Sequence, residues 1–515
     1  MNPAAWIRHR RVIATAAIAW AALVFLVLAP ALNHWVSGLS DDRSTPVVTS
    51  PVAQKLADVR LMNYYPSTAA WTSMWTKWNP TQLNEDFAKI EALGANSVRL
   101  NIEPGTFGFP GPSTTMTDEL NDAIQAAAAH SLTVQLTLFD WWSAYTDTSG
   151  SDAWINALLA PYQDDAEISF IDIKNEIDPG DAHAMAWLEH ELPVVRQAAG
   201  TVPVTVSVTG PNILGNLAAL RSKLTAAGTP PDFYDIHYYD VPQHALATFE
   251  QAKALVAPSA LFIGETGATT DVTTGQPGAA AVGNADQDLY LRSVEWAAQT
   301  AGLPDAAPWI FQDIASGGAP PGANTGGGEL EYGLYSADGT AKPAAVSMKA
   351  LYQHSTISTY LNGEFSVGSG TKVADWTPAR ANSGATLAWD GAVGHASAGA
   401  VLLSGTKASA AGNPSFVAAP VIQPTTVGQT FEMTAWAEGT NASGQNRIAI
   451  CWFSANGGYL SESDSPILPT GTTNWQQLQV TSSAPSGAAY ELVYLESGDN
   501  SGTVHFDDVT FTAEG

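Results

Sequence analysis

Two glutamates occupy positions from which they could act as a catalytic pair. Glu176 follows the apolar run 168–173, and Glu265 follows the short run 261–264. Two facing carboxylates can cleave an acetal, because one protonates the leaving oxygen while the other attacks or stabilises the oxocarbenium-like carbon. A separation of about 5 Å gives retention, and a larger one gives inversion. Close carboxylates also raise each other's proton affinity, so one of them is expected to stay protonated near neutral pH.

Neighbouring residues could assist such a pair. Asn175 could hold a sugar 2-hydroxyl, Tyr239 or His237 could hydrogen-bond the nucleophile, and Arg99 could keep the nucleophile ionised. Further substrate-binding candidates follow predicted strands or lie within them: Asp140, Trp141 and Trp309. The alternatives are structural, since each glutamate could cap the helix that follows it, and the Arg and His side chains could satisfy backbone groups.

The elements that would position these residues lie between about 59 and 353. Short β-branched runs alternate there with segments of helical period, which predicts an α/β fold, a (β/α)8 TIM barrel. The predicted strands are 59–63, 97–102, 133–139, 168–174, 204–208, 233–237, 261–264 and 308–312. Helical candidates lie between these strands, among them 83–93, 118–129, 181–198, 216–226, 246–256 and 286–300, with a last one near 343–352. An open doubly wound sheet is the alternative, but it normally has a glycine-rich turn after its first strand, and none follows Asn63.

The sequence after about 355 changes to short alternating runs between Gly, Asn, Pro and Ser turns. This pattern predicts an all-β jelly-roll sandwich with strands near 430–437, 447–453, 475–481, 489–496 and 503–512. Alternation places Trp452 on one face with Ile448 and Ile450, and Cys451 on the other face as a buried thiol. Tyr459 and Trp389 are the aromatic residues expected to be exposed.

Several motifs of the first region resemble the glycoside hydrolase clan A barrels, most closely the cellulase-like family 5. They are Asn63-Tyr64-Tyr65-Pro66, Leu93 to Arg99, Lys174-Asn175-Glu176, His237-Tyr238-Tyr239, Gly264-Glu265-Thr266-Gly267 and Trp309. The resemblance implies that Glu176 is the acid/base, that Glu265 is the nucleophile and that a β-glycosidic bond is hydrolysed with retention. The sequence departs from the family pattern at Ile177, where proline is usual, and at 140–142, where Asp-Trp-Trp stands instead of a histidine.

The second region resembles carbohydrate-binding jelly-roll modules at both of its edges. The resemblance is carried by Asn362-Gly363-Glu364-Phe365 and by the run 504–509. Such modules often hold a structural calcium between their terminal strands, and the resemblance implies Glu364 and Asp508 as hard oxygen ligands. The alternative is that both are surface carboxylates without a metal.

The amino terminus has the form of an export signal. Arg8, Arg10 and Arg11 precede the uncharged run 12–32, so the basic flank is expected to stay in the cytoplasm while the rest of the chain is delivered outside. The run is long enough to remain as a membrane anchor, whereas 29–31 has the form of a cleavage site. The predicted organisation is a signal or anchor over 1–36, a linker over 37–57, a catalytic domain over 58–354 and a binding module over 360–515.

Composition narrows the range of partners. The 515 residues include 21 Lys and Arg against 49 Asp and Glu, a formal net charge of -28, which is the wrong sign for nucleic acid. A single cysteine excludes an intramolecular disulfide framework and a cysteine zinc cage, and no nucleotide-binding fingerprint or metal-spaced His pair suggests a cofactor.

The combined hypothesis is a monomeric, exported, retaining hydrolase of β-linked, chiefly β-1,4-linked, polysaccharide or oligosaccharide that needs no cofactor for catalysis. One alternative is a non-catalytic glycan-binding or wall-associated protein on a decayed barrel. The other is an exo-acting β-glycosidase of the same clan.

Overall fold

The computed structural model of the chain describes residues 50–271, 279–353, 362–379, 386–404, 415–420 and 425–514. The predicted signal or anchor over 1–36 and most of the predicted linker lie outside these residues. Within the described ranges, no helix combines the length and the apolar character needed to cross a bilayer.

The first region contains parallel strands that alternate with helices. The strands are β1 (Leu61–Asn63), β2 (Ser97–Asn101), β3 (Thr133–Thr137), β4 (Ile168–Asp172), β5 (Val204–Thr205), β6 (Ser207–Val208), β7 (Phe233–Tyr238) and β8 (Ala260–Thr266). They form two parallel groups in the orders β1-β2-β3-β4-β5 and β6-β7-β8. The helices are α1 (Pro51–Ala57), α2 (Ser73–Thr76), α3 (Pro80–Leu93), α4 (Pro104–Phe107), α5 (Thr114–Ala129), α6 (Thr148–Leu159), α7 (Ala182–Ala199), α8 (Ile213–Ala227), α9 (Ala245–Val256), α10 (Ala279–Thr300) and α11 (Pro343–Tyr352). Short 3-10 turns lie at Ala160–Tyr162 and Pro242–His244. The α/β prediction is confirmed.

The predicted eighth strand at 308–312 is replaced by separate bridging contacts. Pro308 forms a parallel bridge with Thr266, and the Phe311 amide donates to the Asn63 carbonyl at 3.0 Å. These contacts join the end of β8 to β1, so the circle of a TIM barrel closes without a continuous last strand.

Local sequence explains why the helices form where they do. In α3, the Asn79 side chain accepts from the Gln82 amide and the helix ends at Gly94, whose φ of 98° suits glycine. Leu83, Phe87 and Ile90 recur at helical spacing and are buried against the barrel.

The predicted linker over 37–57 is wrong at its end, because Pro51–Ala57 is a helix. Ser50 accepts from the Ala53 amide at 3.1 Å and caps it. Leu56 of this helix is fully buried and packs with Phe170, Phe233 and Phe262 at the end of the barrel where the strands begin. A seven-residue helix with one apolar anchor has no measurable helical period, which explains the error.

The second region is a sandwich of two five-stranded antiparallel sheets. Its strands are β9 (Gly368–Ser369), β10 (Lys372–Val373), β11 (Thr377–Ala379), β12 (Thr386–Asp390), β13 (Ala400–Ser404), β14 (Ser415–Pro420), β15 (Thr430–Ala442), β16 (Gln445–Phe453), β17 (Tyr459–Asp464), β18 (Gly471–Ser483), β19 (Tyr490–Gly498) and β20 (Thr503–Glu514). The sheet orders are β11-β14-β19-β16-β17 and β12-β13-β20-β15-β18, while β9 and β10 form a separate hairpin.

The alternation predicted for β16 is confirmed. Trp452 lies in the sandwich core with Ile448 and Ile450, and Cys451 is buried on the other face. Tyr459 is 49% exposed, as expected. Trp389 is half-buried instead of exposed, since its indole N–H donates to the Phe365 carbonyl at 2.7 Å.

The sandwich packs directly on the barrel. The Asp375 amide donates to a carboxylate oxygen of Asp286 in α10 at 3.1 Å. Ala455 and Ala489 of the sandwich pack against the barrel's hydrophobic core. Tyr490 also lines a small cavity together with Trp296 of α10.

Candidate active site

Glu176 and Glu265 project from the carboxyl ends of strands on different sides of the barrel. Glu265 lies within β8 and is 5% exposed. Glu176 lies four residues past the end of β4 in a left-handed conformation, φ 49°. Its amide donates to Ser207 Oγ at 2.9 Å, and that hydroxyl donates to Asp172 Oδ2 at 3.0 Å. The strained turn is thereby fixed by β4 and β6 side chains.

His237 links the two glutamates. Its Nδ1 lies 2.9 Å from Glu176 Oε1 and 3.4 Å from Glu265 Oε1. One atom from each of the three side chains lies within 4.8 Å of the other two. The carboxylate oxygens are therefore as close as the two groups of a retaining glycosidase, which are about 5 Å apart.

Arg99 lies beneath the pair and organises it. It forms an ion pair with Glu265, donates through Nη2 to Asn175 Oδ1 at 2.7 Å, and donates through Nε to Thr137 Oγ1 at 2.7 Å. Burial opposes the charged form of Arg99, but the carboxylates of Glu265 and Asp172 raise its pKa above the ordinary value. A permanent positive charge thus faces the predicted nucleophile. The side chains of Glu176, Glu265 and His237 have the atom types of a metal ligand set, but the positive charge of Arg99 disfavours a metal cation beside them.

Tyr239 and Asn175 present donors to the site. The Tyr239 hydroxyl donates to Glu265 Oε2 at 2.8 Å. Burial and the charge of Glu265 raise the pKa of Tyr239 well above its ordinary value, so it remains a neutral donor. Because Asn175 Oδ1 accepts from Arg99, its amide N–H group is free to point to a ligand.

The proton that was expected on a carboxyl belongs mainly to the imidazole. Burial raises the pKa of Glu176, but the hydrogen bond and charge of His237 outweigh it and lower the pKa overall. Burial lowers the pKa of His237, but the charge of Glu265 and the contacts of Glu176 raise it to about 9. Mutual repulsion of the glutamates, the expected cause of a protonated acid, is thus offset by this ring.

The predicted substrate-binding residues meet at one cavity of about 280 Å³. Glu176, Glu265 and five other predicted residues line it: Asp140, Trp141, Asn175, Tyr239 and Trp309. Arg99 and His237 lie behind this wall and act through the glutamates. Trp141 is 50% exposed at the rim and offers a flat face for a sugar ring.

The cavity has lining residues that were not among the predicted site residues. They are Tyr65, Trp71, Asn101, Glu329 and Tyr332. Asn101 and Tyr65 could have been found from the strand-end rule, because Asn101 ends β2 and Tyr65 follows β1 closely. Glu329 follows three glycines in a loop and gave no periodic signal.

Glu329 is a third carboxylate at the cavity wall. Burial, followed by the charges of Glu265 and Glu176, raises its pKa to about 7. Its protonation therefore changes in the physiological range.

The predicted calcium ligands are placed in the sandwich without forming a cluster. Glu364 is exposed, and Asp508 Oδ2 lies 2.6 Å from His395 Nδ1. Among the residues described, neither carboxylate belongs to a group of three or more close metal-ligand side chains. Imidazole is a poor partner for a hard cation, and the calcium site stays a prediction.

A parallel α/β barrel with two close carboxylates at the carboxyl ends of its strands defines the class of protein, a glycoside hydrolase. Residues 62–300 match the family model for cellulase (glycosyl hydrolase family 5). This match agrees with the family that the motifs predicted, and the two-carboxylate chemistry of that family requires no cofactor.

Solved structures with similar folds include other glycoside hydrolases. Exo-beta-1,4-mannosidase Op5Man5 from Opitutaceae bacterium strain TAV5 is 20% identical with a TM-score of 0.45, over 57% of this chain and 59% of that one. GH5_18 from Streptomyces cattleya in complex with GlcNAc is 17% identical with a TM-score of 0.45, over 59% and 83% of the two chains. A family 39 glycoside hydrolase from Bacteroides cellulosilyticus WH2 is 12% identical with a TM-score of 0.45, over 86% and 82%. The chain thus spans 59% of the length of the first of these proteins. Comparison with curated proteins gave no match.

Proposed function

We propose that the chain is an exported enzyme that hydrolyses β-linked, chiefly β-1,4-linked, polysaccharide or oligosaccharide with retention of anomeric configuration. The observation that carries the proposal is the close approach of Glu176 and Glu265. One carboxylate oxygen of each lies within 4.8 Å of the other and of a ring nitrogen of His237. Inverting enzymes need a wider gap, about 6.5–9.5 Å, to hold a water between the carboxyl groups.

The first step is glycosylation of Glu265. Its carboxylate attacks the anomeric carbon, while Glu176 delivers a proton to the leaving oxygen and the glycosidic C–O bond breaks. The proton comes from the Glu176–His237 hydrogen bond, which holds one proton at neutral pH. Arg99 and Tyr239 contact the Glu265 side chain before attack, and both can stabilise the negative charge of its carboxylate when the second step releases it.

The second step returns the enzyme to its starting state. Glu176, now ionised, takes a proton from water, and the oxygen attacks the anomeric carbon and breaks the bond to Glu265. Asn175 would donate to the sugar 2-hydroxyl in both steps, and Trp309 would stack under the ring. The cavity of about 280 Å³ suits a short stretch of glycan, since ligand pockets usually span about 300–1,000 Å³.

The sandwich is proposed to hold the glycan near the barrel. Trp436 and Trp475 are half-buried and both contact the His395 ring, which stacks on Trp436 with centroids 3.9 Å apart and meets Trp475 edge to face at 5.8 Å. Trp436 faces away from the sandwich core, because Ala435 and Ala437 on either side of it point inward. This aromatic patch could stack on sugar rings and raise the local substrate concentration.

Export is proposed on the sequence of the amino terminus alone. Arginines precede the uncharged run 12–32, and such a signal delivers the following domains outside the cytoplasm.

The test is reducing-end release by the full chain on soluble β-glucan, mannan, xylan and galactan, beside Glu265→Gln and Glu176→Gln variants. Cleavage of one polymer by the parent and by neither variant supports the proposal, and proton NMR of the first anomer formed distinguishes retention from inversion. Binding without cleavage would support the decayed barrel instead. Release of single sugars from chain ends only would support the exo-acting alternative.

A further inference from the structure

A second cluster of titratable side chains lies on the outside of the barrel. Asp152 belongs to α6, and His190 and Glu191 belong to α7. His190 Nε2 lies 3.1 Å from Asp152 Oδ1, and one ligand atom of each of the three residues lies within 4.8 Å of the others. None of them lines the catalytic cavity.

Glu191 is unusual among these residues because it is fully buried. Its exposure is 0%, and within the described part of the chain neither carboxylate oxygen has a hydrogen-bond partner. The other two side chains reach solvent, since His190 is 47% and Asp152 38% exposed. A buried carboxylate that receives no hydrogen bond destabilises the folded state, because it has lost its contacts with water and gained none in the protein. Something that binds at the open side of the cluster would remove this cost.

Two occupants could stabilise the cluster, a shared proton or a metal ion. Burial, then the nearby Asp152 carboxylate, raises the pKa of Glu191 to about 9, so a proton is one candidate occupant. Among the ion pairs of the described residues, no lysine or arginine contacts Glu191 or Asp152. A proton shared between two carboxylates needs no third partner. The imidazole nitrogen of His190 supplies a third metal-ligand atom, which favours a metal ion.

We propose that Asp152, His190 and Glu191 bind one divalent first-row transition metal ion, with water completing its coordination on the open side. One imidazole nitrogen and two carboxylate oxygens form a mixed donor set that suits Zn²⁺ or Mn²⁺, whereas Ca²⁺ and Mg²⁺ prefer oxygen alone. A tetrahedral ion with ligand bonds of about 2.1 Å separates its ligand atoms by roughly 3.4 Å. The observed separations need only small side-chain movements to reach this geometry.

The metal would connect two helices that follow active-site loops. Helix α6 begins at Thr148, after the loop that carries Trp141, and α7 begins at Ala182, after the loop that carries Glu176. The helices are already joined by a hydrogen bond from Trp187 to Ser151 at 3.0 Å. A metal bond between them would stabilise this side of the barrel without taking part in hydrolysis.

The test is isothermal titration of the full, metal-stripped chain with Zn²⁺ and Mn²⁺, with Ca²⁺ and Mg²⁺ as comparisons. We expect one transition-metal ion per chain at this site, a rise in melting temperature of several degrees, and loss of both in Glu191→Gln and in His190→Ala. His130→Ala is the matched control, because His130 also contacts a carboxylate, Glu91, at 3.3 Å but lies at no three-residue cluster. That variant should bind as the parent does.

A second measurement separates the metal from the shared proton. Glu191→Gln should be folded and at least as stable as the metal-free parent at pH 8, since it removes a buried carboxyl. Equal metal binding by parent and Glu191→Gln, or no binding by the parent, would overturn the proposal.

Discussion

The Nδ1 atom of His237 lies 2.9 Å from Oε1 of Glu176, within a single short hydrogen bond. Because the pKa of His237 is raised to about 9 and that of Glu176 is lowered, the shared proton belongs to the ring in the free protein. An acid/base carboxyl in this setting receives its proton from the imidazole when the leaving oxygen arrives. The pH dependence of the reaction should therefore follow the histidine.

The first prediction concerns that histidine. Activity, as kcat/KM, should fall as pH rises through about 9, because His237 then loses the proton that the pair supplies. The same group should contribute stability that is fully present below about 6.5, its ordinary pKa, and lost through about 9. His237→Gln should lower activity and lose this basic limb. An unchanged basic limb in that variant would assign it to another group.

The second prediction concerns Glu265, the proposed nucleophile. Glu265→Gln should reduce kcat by about 10³-fold or more, because no covalent intermediate can form. It should also destabilise the fold, by roughly 3–5 kcal/mol in urea unfolding, since it removes the closer of the two carboxylates that pair with the buried Arg99. Glu176→Gln is the comparison variant, with a similar loss of activity on substrates with poor leaving groups but a smaller loss of stability. Equal stability losses would argue against the Arg99 contact.

The third carboxylate of the cavity predicts an effect near neutral pH. Glu329 is protonated below about 7 and charged above it, so kcat/KM of the parent should change around that pH. Because its folded pKa is raised, the free energy of unfolding should decrease as pH rises from about 4.5, its ordinary pKa, to about 7. Glu329→Gln should remove both changes. Glu331→Gln, two positions along the same loop and exposed, is the control and should leave both in place.

The sandwich is tested by binding and not by turnover. Trp436→Ala should weaken retention on an insoluble polymer about tenfold, since one sugar ring stacked on an aromatic side chain contributes on the order of 1–1.5 kcal/mol. Hydrolysis of small soluble substrates should stay unchanged. Tyr459→Ala changes an exposed ring on the other sheet. Loss of binding in the tyrosine variant alone would place the glycan surface on that sheet instead.

The sequence predicted the barrel well because buried parallel strands read as apolar, β-branched runs, and the catalytic candidates stand where those runs end. No helical pattern was named at α6, whose first turn is polar and whose first large apolar residue is Trp154. The segment predicted as the eighth strand, 308–312, pairs only through isolated bridges, and its apolar pattern does not distinguish such bridges from a continuous strand. Glu329 was missed since only the folded loop brings it to the cavity.

The protonation of the site was predictable in part. The residues were correctly expected to meet, but the sign of the Glu176 shift depends on the imidazole at 2.9 Å, and sequence order does not give that distance. Trp389 shows the same limit in the sandwich, because its exposure is decided by a hydrogen bond to Phe365, a contact across the fold.

The direct packing of the sandwich on the barrel limits the distance between the aromatic patch and the catalytic cavity. Contacts such as the one from Asp375 to Asp286 join the two domains, so if the aromatic patch binds glycan as proposed, one molecule can occupy the patch and the cavity together only when it is long enough to bridge the distance between them. Oligosaccharides too short to reach both sites would bind at the cavity alone, with the affinity of the barrel by itself. Longer chains would bind at both sites, and their affinity would rise sharply at a threshold length. The domain arrangement would then act as a selector of polymer size.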